Sequence, residues 1–237
     1  MALLPYQVIP DDWDVFYSEQ SKMSLPESFG AFYQSQLLGD DKAMAATNFV
    51  ALDIETTGLD AQKDEIVSIG LVPFDCQRIY LAKAKHWVVS SGHLTSDSVL
   101  VHGITHTEVA GAPSLNSILP ELLASLRGKQ IVVHYRYMER EFLRKALAVL
   151  WKRDFLFPVI DTLELEVKFL RDTQSVMARL MRKPLPSLRL LHARERYHLP
   201  AYENHNALVD ALATAELLQA QIAKQSIGEK RVRALWF

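Results

Sequence analysis

Apolar positions along this chain change their period partway through, from short strand-like runs to repeats of helical spacing. Residues 48–54 (NFVALDI) form a short, mostly apolar run, the pattern of a central strand buried on both faces. Residues 65–74 and 78–89 predict a second and a third strand, joined through Asp75, Cys76 and Gln77, a connection short enough for a hairpin turn. Helical spacing follows over 115–126, then a buried strand over 130–134 (QIVVH), a helix over 137–150 and a short strand over 159–161. Further helical patterns cover 163–170, 187–197 and 207–222. Hairpin-linked strands followed by β-α-β units predict an α/β fold: a mixed sheet with an antiparallel portion, covered by helices.

Upstream of the first strand, residues 1–46 predict a helical appendage. Asp11 and Asp12 are placed to cap a segment containing Trp13, Phe16 and Tyr17, and a second apolar run follows through Phe29, Phe32 and Leu37 until Gly39-Asp40-Asp41 breaks it. The expected division is an appendage over 1–46, a main domain over 47–225 and a basic tail over 226–237. The tail's last three residues, Leu235, Trp236 and Phe237, are large and apolar and are expected to pack onto their own domain.

Composition alters this picture little. With 49% apolar and 23% charged residues the chain reads as globular, not disordered. Its single cysteine, Cys76, can form no intrachain disulfide. No secretory leader and no apolar run of about 18 residues is present, so a cytoplasmic protein without a membrane span is expected. Charge is more informative by position than in total. Residues 1–60 carry ten acids against two lysines, and residues 136–196 carry fourteen Lys/Arg against eight acids. Arg136, Arg140 and Arg144 recur at four-residue spacing, so one helix edge is a candidate track for a phosphate backbone; a solvated helix face is the alternative.

Asp53 and Glu55 stand two positions apart in the first strand, so their side chains share one face. Two carboxylates there repel each other and resist desolvation unless a cation or strong donors compensate them. Oxygen-only ligands of this kind favour Mg²⁺ or Mn²⁺ over Zn²⁺. Gly58 lets the backbone approach a ligand closely where the strand ends.

The string DIETTGL, residues 53–59, resembles the first motif of the DEDDh (DnaQ-like) exonucleases, the family of the proofreading subunit of bacterial replicative polymerase, RNase T and oligoribonuclease. The other motifs of that family occur in order. Residues 101–105 (VHGIT) match its His-Gly-Ile-Thr segment, residues 131–143 (IVVHYRYMEREFL) its second motif, and residues 205–210 (HNALVD) its third, His-x-Ala-x-x-Asp. The second motif departs most: His134, Phe142 and Leu143 match, but Tyr135 and Arg136 stand where Asn and Ala are usual, and Glu139 where Asp is usual.

This resemblance implies a ribonuclease H-like five-stranded mixed sheet and a metal-dependent 3′→5′ exonuclease acting on 3′ ends of single-stranded DNA or RNA, with DNA favoured. It implies that Asp53, Glu55, Glu139 and Asp210 hold two divalent cations, Mg²⁺ or Mn²⁺, and that His205 activates the attacking water. Thr56, Thr57 and Gly58 would supply backbone donors, Leu59 a wedge against a base, and His102 a contact to the terminal nucleotide. Two alternatives are a catalytically weak nucleic-acid-binding module and a polymerase-associated proofreading subunit, the latter with a protein partner docked on residues 1–46 or on the tail.

Overall fold

Alternation along one central strand, Phe49–Thr56 (β1), decides which layer each of its side chains enters. In the computed structural model of the chain, which describes residues 9–22, 26–37, 41–92, 104–175, 177, 180–181, 183–202 and 205–237, this strand is buried on both faces. Val50, Leu52 and Ile54 enter one core, and Phe49 and Ala51 enter the other. β1 pairs antiparallel with β2 (Ile66–Phe74) and parallel with β4 (Gln130–Val133). β3 (Lys85–Val88) lies antiparallel to β2, and β5 (Val159–Asp161) parallel to β4. The result is a five-stranded mixed sheet of order β3-β2-β1-β4-β5, as expected.

Eight helices of the described residues can be named. They are α1 (Trp13–Ser21), α2 (Glu27–Leu37), α3 (His106–Ala110), α4 (Leu115–Leu126), α5 (Tyr137–Trp151), α6 (Thr162–Thr173), α7 (Leu190–Arg196) and α8 (Ala207–Gln225). α1, α2, α4 and α5 cover the face that takes Leu52, whereas α6 and α8 cover the face that takes Ala51. α8 has small residues, Ala211 and Ala215, against the sheet, which lets a 19-residue helix lie close along β1 and β2.

The third strand is shorter than its sequence pattern, which predicts residues 78–89. The hairpin turn forms where expected: the Asp75 carboxylate accepts the N–H groups of Gln77 and Arg78 at 2.7 and 2.8 Å. The Tyr80 hydroxyl then donates to the same carboxylate at 2.6 Å, and Leu81–Lys83 turns as a 3₁₀ segment, so the ladder resumes only at Lys85. Satisfying the turn carboxylate locally takes the chain off the sheet edge.

The helical character expected upstream is present, and the aromatic residues there complete the main core. Asp12 caps α1 through the N–H groups of Asp14 and Val15. Tyr17, Phe29, Phe32 and Tyr33 are buried together with Phe155 and Phe157 beneath the sheet. The Tyr33 hydroxyl donates to the Leu156 carbonyl at 2.9 Å and accepts the Leu156 N–H at 3.1 Å, bolting α2 to the strand approach. At the other terminus Trp236 packs edge-on to Trp13 and donates to Gln130 at 2.6 Å, while Phe237 exchanges backbone hydrogen bonds with Val159. The tail therefore packs on its own domain, along the β5 edge.

Tyr33→Phe should lower the unfolding free energy by about 1–3 kcal/mol, because both buried polar groups of Leu156 lose their partner while little volume changes. Urea denaturation checks this; an unchanged midpoint would mean water replaces the hydroxyl.

Candidate active site

Two-residue spacing on β1 places Asp53 and Glu55 on one face, and the ladder register sets what lies beside them: Asp53 stands opposite Gly70 and Glu55 opposite Ser68. The pairing then slips between Glu55 and Thr56, a bulge that turns the strand end. Gly70 matters most. A Cβ built on it would lie 2.1 Å from the carbonyl oxygen of Ala207, so the absence of a side chain lets the first turn of α8 press onto β2. That close approach brings Asp210, in the first turn of α8, down beside the β1 pair. Ligating oxygens of Asp53, Glu55 and Asp210 all lie within 4.8 Å of one another. A lone glycine inside an otherwise apolar, branched strand is the sequence signal for this residue, which the motif reading passed over.

The start of α8 is built by its own side chains. Asn206 caps it, accepting the N–H groups of Leu208 and Val209 at 3.1 and 3.2 Å. His205 just before it has a left-handed backbone, φ 69°, and donates its N–H to Asp210 Oδ2 at 2.9 Å. His205 is exposed to solvent.

Glu139 occupies the first turn of α5, which packs on the opposite face of the sheet, and it stands outside the group of three. It is only 2% exposed, and its Oε2 has no hydrogen-bond partner among the described residues. Behind it, Asp161 is fully buried and holds the turn that launches α5: it accepts the N–H groups of Tyr135 and Arg136 at 3.1 and 3.0 Å and pairs with the Arg136 guanidinium. Tyr135 itself is left-handed, φ 81°. The motif reading did not single out Asp161; its place at the cap of α6, after an apolar strand, is the available signal.

Burial raises every carboxyl in this set, and neighbouring carboxylates add to the rise of all but Asp210. Burial pushes Asp53 well above the usual carboxylate range, and the charges of Glu139, Asp210 and Glu55 push it further. Burial and then Asp210 raise Glu55 to about 7. Burial raises Asp210, opposed by the N–H of His205. Burial raises Glu139 well above its ordinary value, against a hydrogen bond from its own backbone, with Asp161 adding to the rise. An all-oxygen donor set in which each carboxylate disfavours its neighbours' charge, plus one buried orphan oxygen, fits hard divalent cations.

The loop after β1 is braced from two sides. Thr56 donates to the Gly58 carbonyl at 2.6 Å, and Thr57 donates to Asp64 at 3.2 Å while exchanging hydrogen bonds with Glu65. A Cβ on Gly58 would meet the Asp64 carboxylate at 2.5 Å. Leu59 projects outward, 79% exposed. Lys145 of α5 reaches the Asp64 carbonyl at 3.3 Å, and a cavity of about 310 Å³ lies between this loop and α5, lined by Glu65, Ile66 and Phe142. His102 falls outside the described residues. His134 does not face the carboxylates; its ring lies 2.8 Å from Thr162 Oγ1 and 2.9 Å from the Leu188 carbonyl, tying β4 to the segment before α7.

The arginine track along α5 is not a track. Arg136 pairs with Asp161 and Glu164, Arg140 is buried and donates to the carbonyls of Phe157 and Phe237, and Arg144 pairs with Asp154. Arg136 and Arg140 enter the packed layer, where carbonyls and carboxylates claim them, and Arg144 is held by Asp154 at the surface.

Residues 50–218 match the family model described as "RNase_T: Exonuclease". The chain is similar to the PolC-type DNA polymerase III of Thermotoga maritima, 33% identical over 186 residues that make up 76% of this chain and 12% of that protein. It therefore spans about an eighth of the length of such relatives. It is also similar to the DNA polymerase III subunit epsilon of Treponema pallidum, 28% identical over 76% of that protein and 74% of this chain. Among solved structures it shares its fold with the nuclease domain of 3′hExo, a DEDDh family member bound to rAMP. There the TM-score is 0.63 at 14% identity, covering 81% of this chain and 98% of the other.

Two outcomes follow from this geometry. Folded Glu55 keeps its proton to about pH 7, whereas an unfolded glutamate releases it near 4.5, so the folded state binds the extra proton between those values. The metal-free protein should then lose stability as pH rises from about 5 to 8, by roughly 3 kcal/mol from Glu55 alone. In EDTA, Tm should fall across that interval, and saturating Mg²⁺ or Mn²⁺ should raise Tm more at pH 8 than at pH 5; a Tm that rises with pH in EDTA would contradict this. Gly70→Ala should lift the first turn of α8 from β2 and lower Tm, while divalent cations no longer raise Tm, as scanning calorimetry with and without Mn²⁺ would show.

Proposed function

The chain belongs to the DEDDh 3′–5′ exonuclease family, and from that premise we propose that it hydrolyses the terminal phosphodiester of single-stranded nucleic acid from the 3′ end, releasing 5′-mononucleotides. The observation that carries this reading is the convergence of Asp53, Glu55 and Asp210 within 4.8 Å, with His205 on the loop that Asp210 holds. DNA is the favoured polymer, since proteins similar to this chain include DNA polymerase III proteins.

Asp53, Glu55 and Asp210 would hold the divalent cations, Mg²⁺ or Mn²⁺, with Glu139 approaching from the opposite layer through its orphan oxygen. When bound, such ions supply a water of lowered pKa and neutralise charge at the phosphate and the leaving 3′-oxygen. His205, exposed and bonded through its N–H to Asp210, accepts the proton of the attacking water. Its left-handed backbone and its N–H bond to Asp210 fix the ring's starting point, so the base and one carboxylate are positioned as a unit. Backbone groups of Thr56 to Gly58, braced by Asp64, face the terminal nucleotide. Leu59 is exposed enough to wedge against its base, and the adjoining cavity of about 310 Å³ can take the base or sugar. A glutamate at position 139 reaches about 1.5 Å further than aspartate. Its helix lies on the far layer of the sheet, and the longer side chain bridges part of that separation.

Wild-type protein with Mg²⁺ or Mn²⁺ should shorten single-stranded DNA from its 3′ end, with 5′-mononucleotides as the only products by chromatography. Asp53→Ala/Asp210→Ala should abolish this. His205→Ala should lower kcat by about 10² to 10⁴ while leaving strand affinity nearly unchanged. Full activity in the double variant after rigorous purification would place the chemistry elsewhere.

A further inference from the structure

Arg136, Arg140, Arg144, Arg194 and Arg196 are held in ion pairs or carbonyl contacts, whereas another group of cations has no carboxylate partner. Among the described residues, Lys83, Arg127 and Lys129 form no ion pair, and they surround one cavity of about 330 Å³ at the N-terminal end of β1. Phe49, Phe74 and Tyr80 line the same cavity, and no acidic residue does. Lys83 lies over the Tyr80 ring, 5.2 Å from its centre. Lys129 is half-buried and donates to the Ser125 carbonyl at 2.8 Å, so one cation is fixed at the base of the groove while Lys83 and Arg127 stand exposed at its rim. A second, smaller cavity adjoins through Asn48, Gly128 and Lys129 and adds Lys42.

Positive charges crowd one another here. Burial lowers the Lys129 ammonium below its ordinary value, and the charges of Lys83 and Lys85 lower it further. Lys85 is partly neutralised by Glu121 at 2.7 Å; among the described residues no acid pairs with Lys83 or Lys129. The groove is also well separated from the carboxylates. It begins at Phe49, and Asp53 and Glu55 lie four and six residues further along β1, about 13 and 20 Å away at the rise of an extended strand.

We propose that this groove between the β2–β3 connection and the end of α4 is a second nucleic-acid site, which holds the phosphate backbone of a strand at the end of the sheet remote from the carboxylates. Three cations around a groove that no acidic residue lines suit a polymer that presents a run of phosphates. The identity of the polymer rests on the exonuclease reading; the existence of an anion site does not. The functional consequence is grip on strands long enough to reach both ends of the sheet, without any effect on the hydrolytic step itself.

The test measures binding apart from cleavage. Anisotropy of a labelled DNA strand of roughly 30 nucleotides is followed in EDTA, which stops hydrolysis, over a series of salt concentrations. Lys83→Ala/Arg127→Ala should weaken binding about fivefold to tenfold at low salt and make the log–log salt dependence shallower by about 1.4, the value for two lost phosphate contacts on a single strand. Tm and the hydrolysis of a dinucleotide should match wild type, because both side chains are exposed and remote from the carboxylates. Equal affinity and equal salt dependence in the variant would overturn the proposal. So would groove-dependent binding of polyglutamate with no groove-dependent binding of DNA, which would make this a peptide site. Groove-dependent DNA binding in a protein that proves unable to cleave DNA would uphold the second site while removing the exonuclease reading.

Discussion

Mutual repulsion among carboxylates drawn within 4.8 Å of one another is the constraint around which this structure is organised. Burial raises all three carboxyls, and the charges of neighbouring carboxylates raise Asp53 and Glu55 further, so without a cation the group favours protonation. What holds them is rigid: a strand with partners on both sides, a glycine that removes the one side chain able to keep α8 away, and a helix N-terminus that favours negative charge in its first turn. A cation relieves the repulsion without moving these elements, so the fold presents the ligands before the ion arrives.

The same logic accounts for the buried charge elsewhere. Asp161 and Glu166 lie in the interior with every ligand they need: Asp161 with two N–H groups and Arg136, Glu166 with Arg196, Tyr197 and Gln221. Arg194 likewise ties α7 to the Ala213 carbonyl and Glu216 of α8. Such groups are costly to bury alone and become specific struts when satisfied. They orient α5, α6 and α8, the helices that carry Glu139, Asp161 and Asp210 toward one end of the sheet.

Much of the fold was legible because burial writes a period into the chain. The apolar runs at β1 and β4 and the helical spacing of α4, α5 and α8 predicted their elements to within a few residues. The third strand failed at its start because a local event, the Asp75 carboxylate collecting two amides and the Tyr80 hydroxyl, has no periodicity to announce it. The aromatic side chains of the first two helices were read as an appendage, yet they fill the core beneath β1 together with Phe155; contact across more than a hundred residues of sequence leaves no local mark.

By itself the sequence determined the order of elements and the identity of the acidic and imidazole groups, because strand alternation and motif spacing depend only on neighbours along the chain. It placed Asp53 and Glu55 on one face and His205 five residues before Asp210. Only the tertiary structure decided which of these groups converge and which cations are free. Asp210 joins the β1 pair because Gly70 admits Ala207, Glu139 acts on Asp53 from a helix packed on the other layer, Arg136 and Arg140 turn inward toward carbonyls and carboxylates, and Arg144 pairs with Asp154 at the surface. Those outcomes depend on the distance between elements far apart in sequence, and that distance is set by packing.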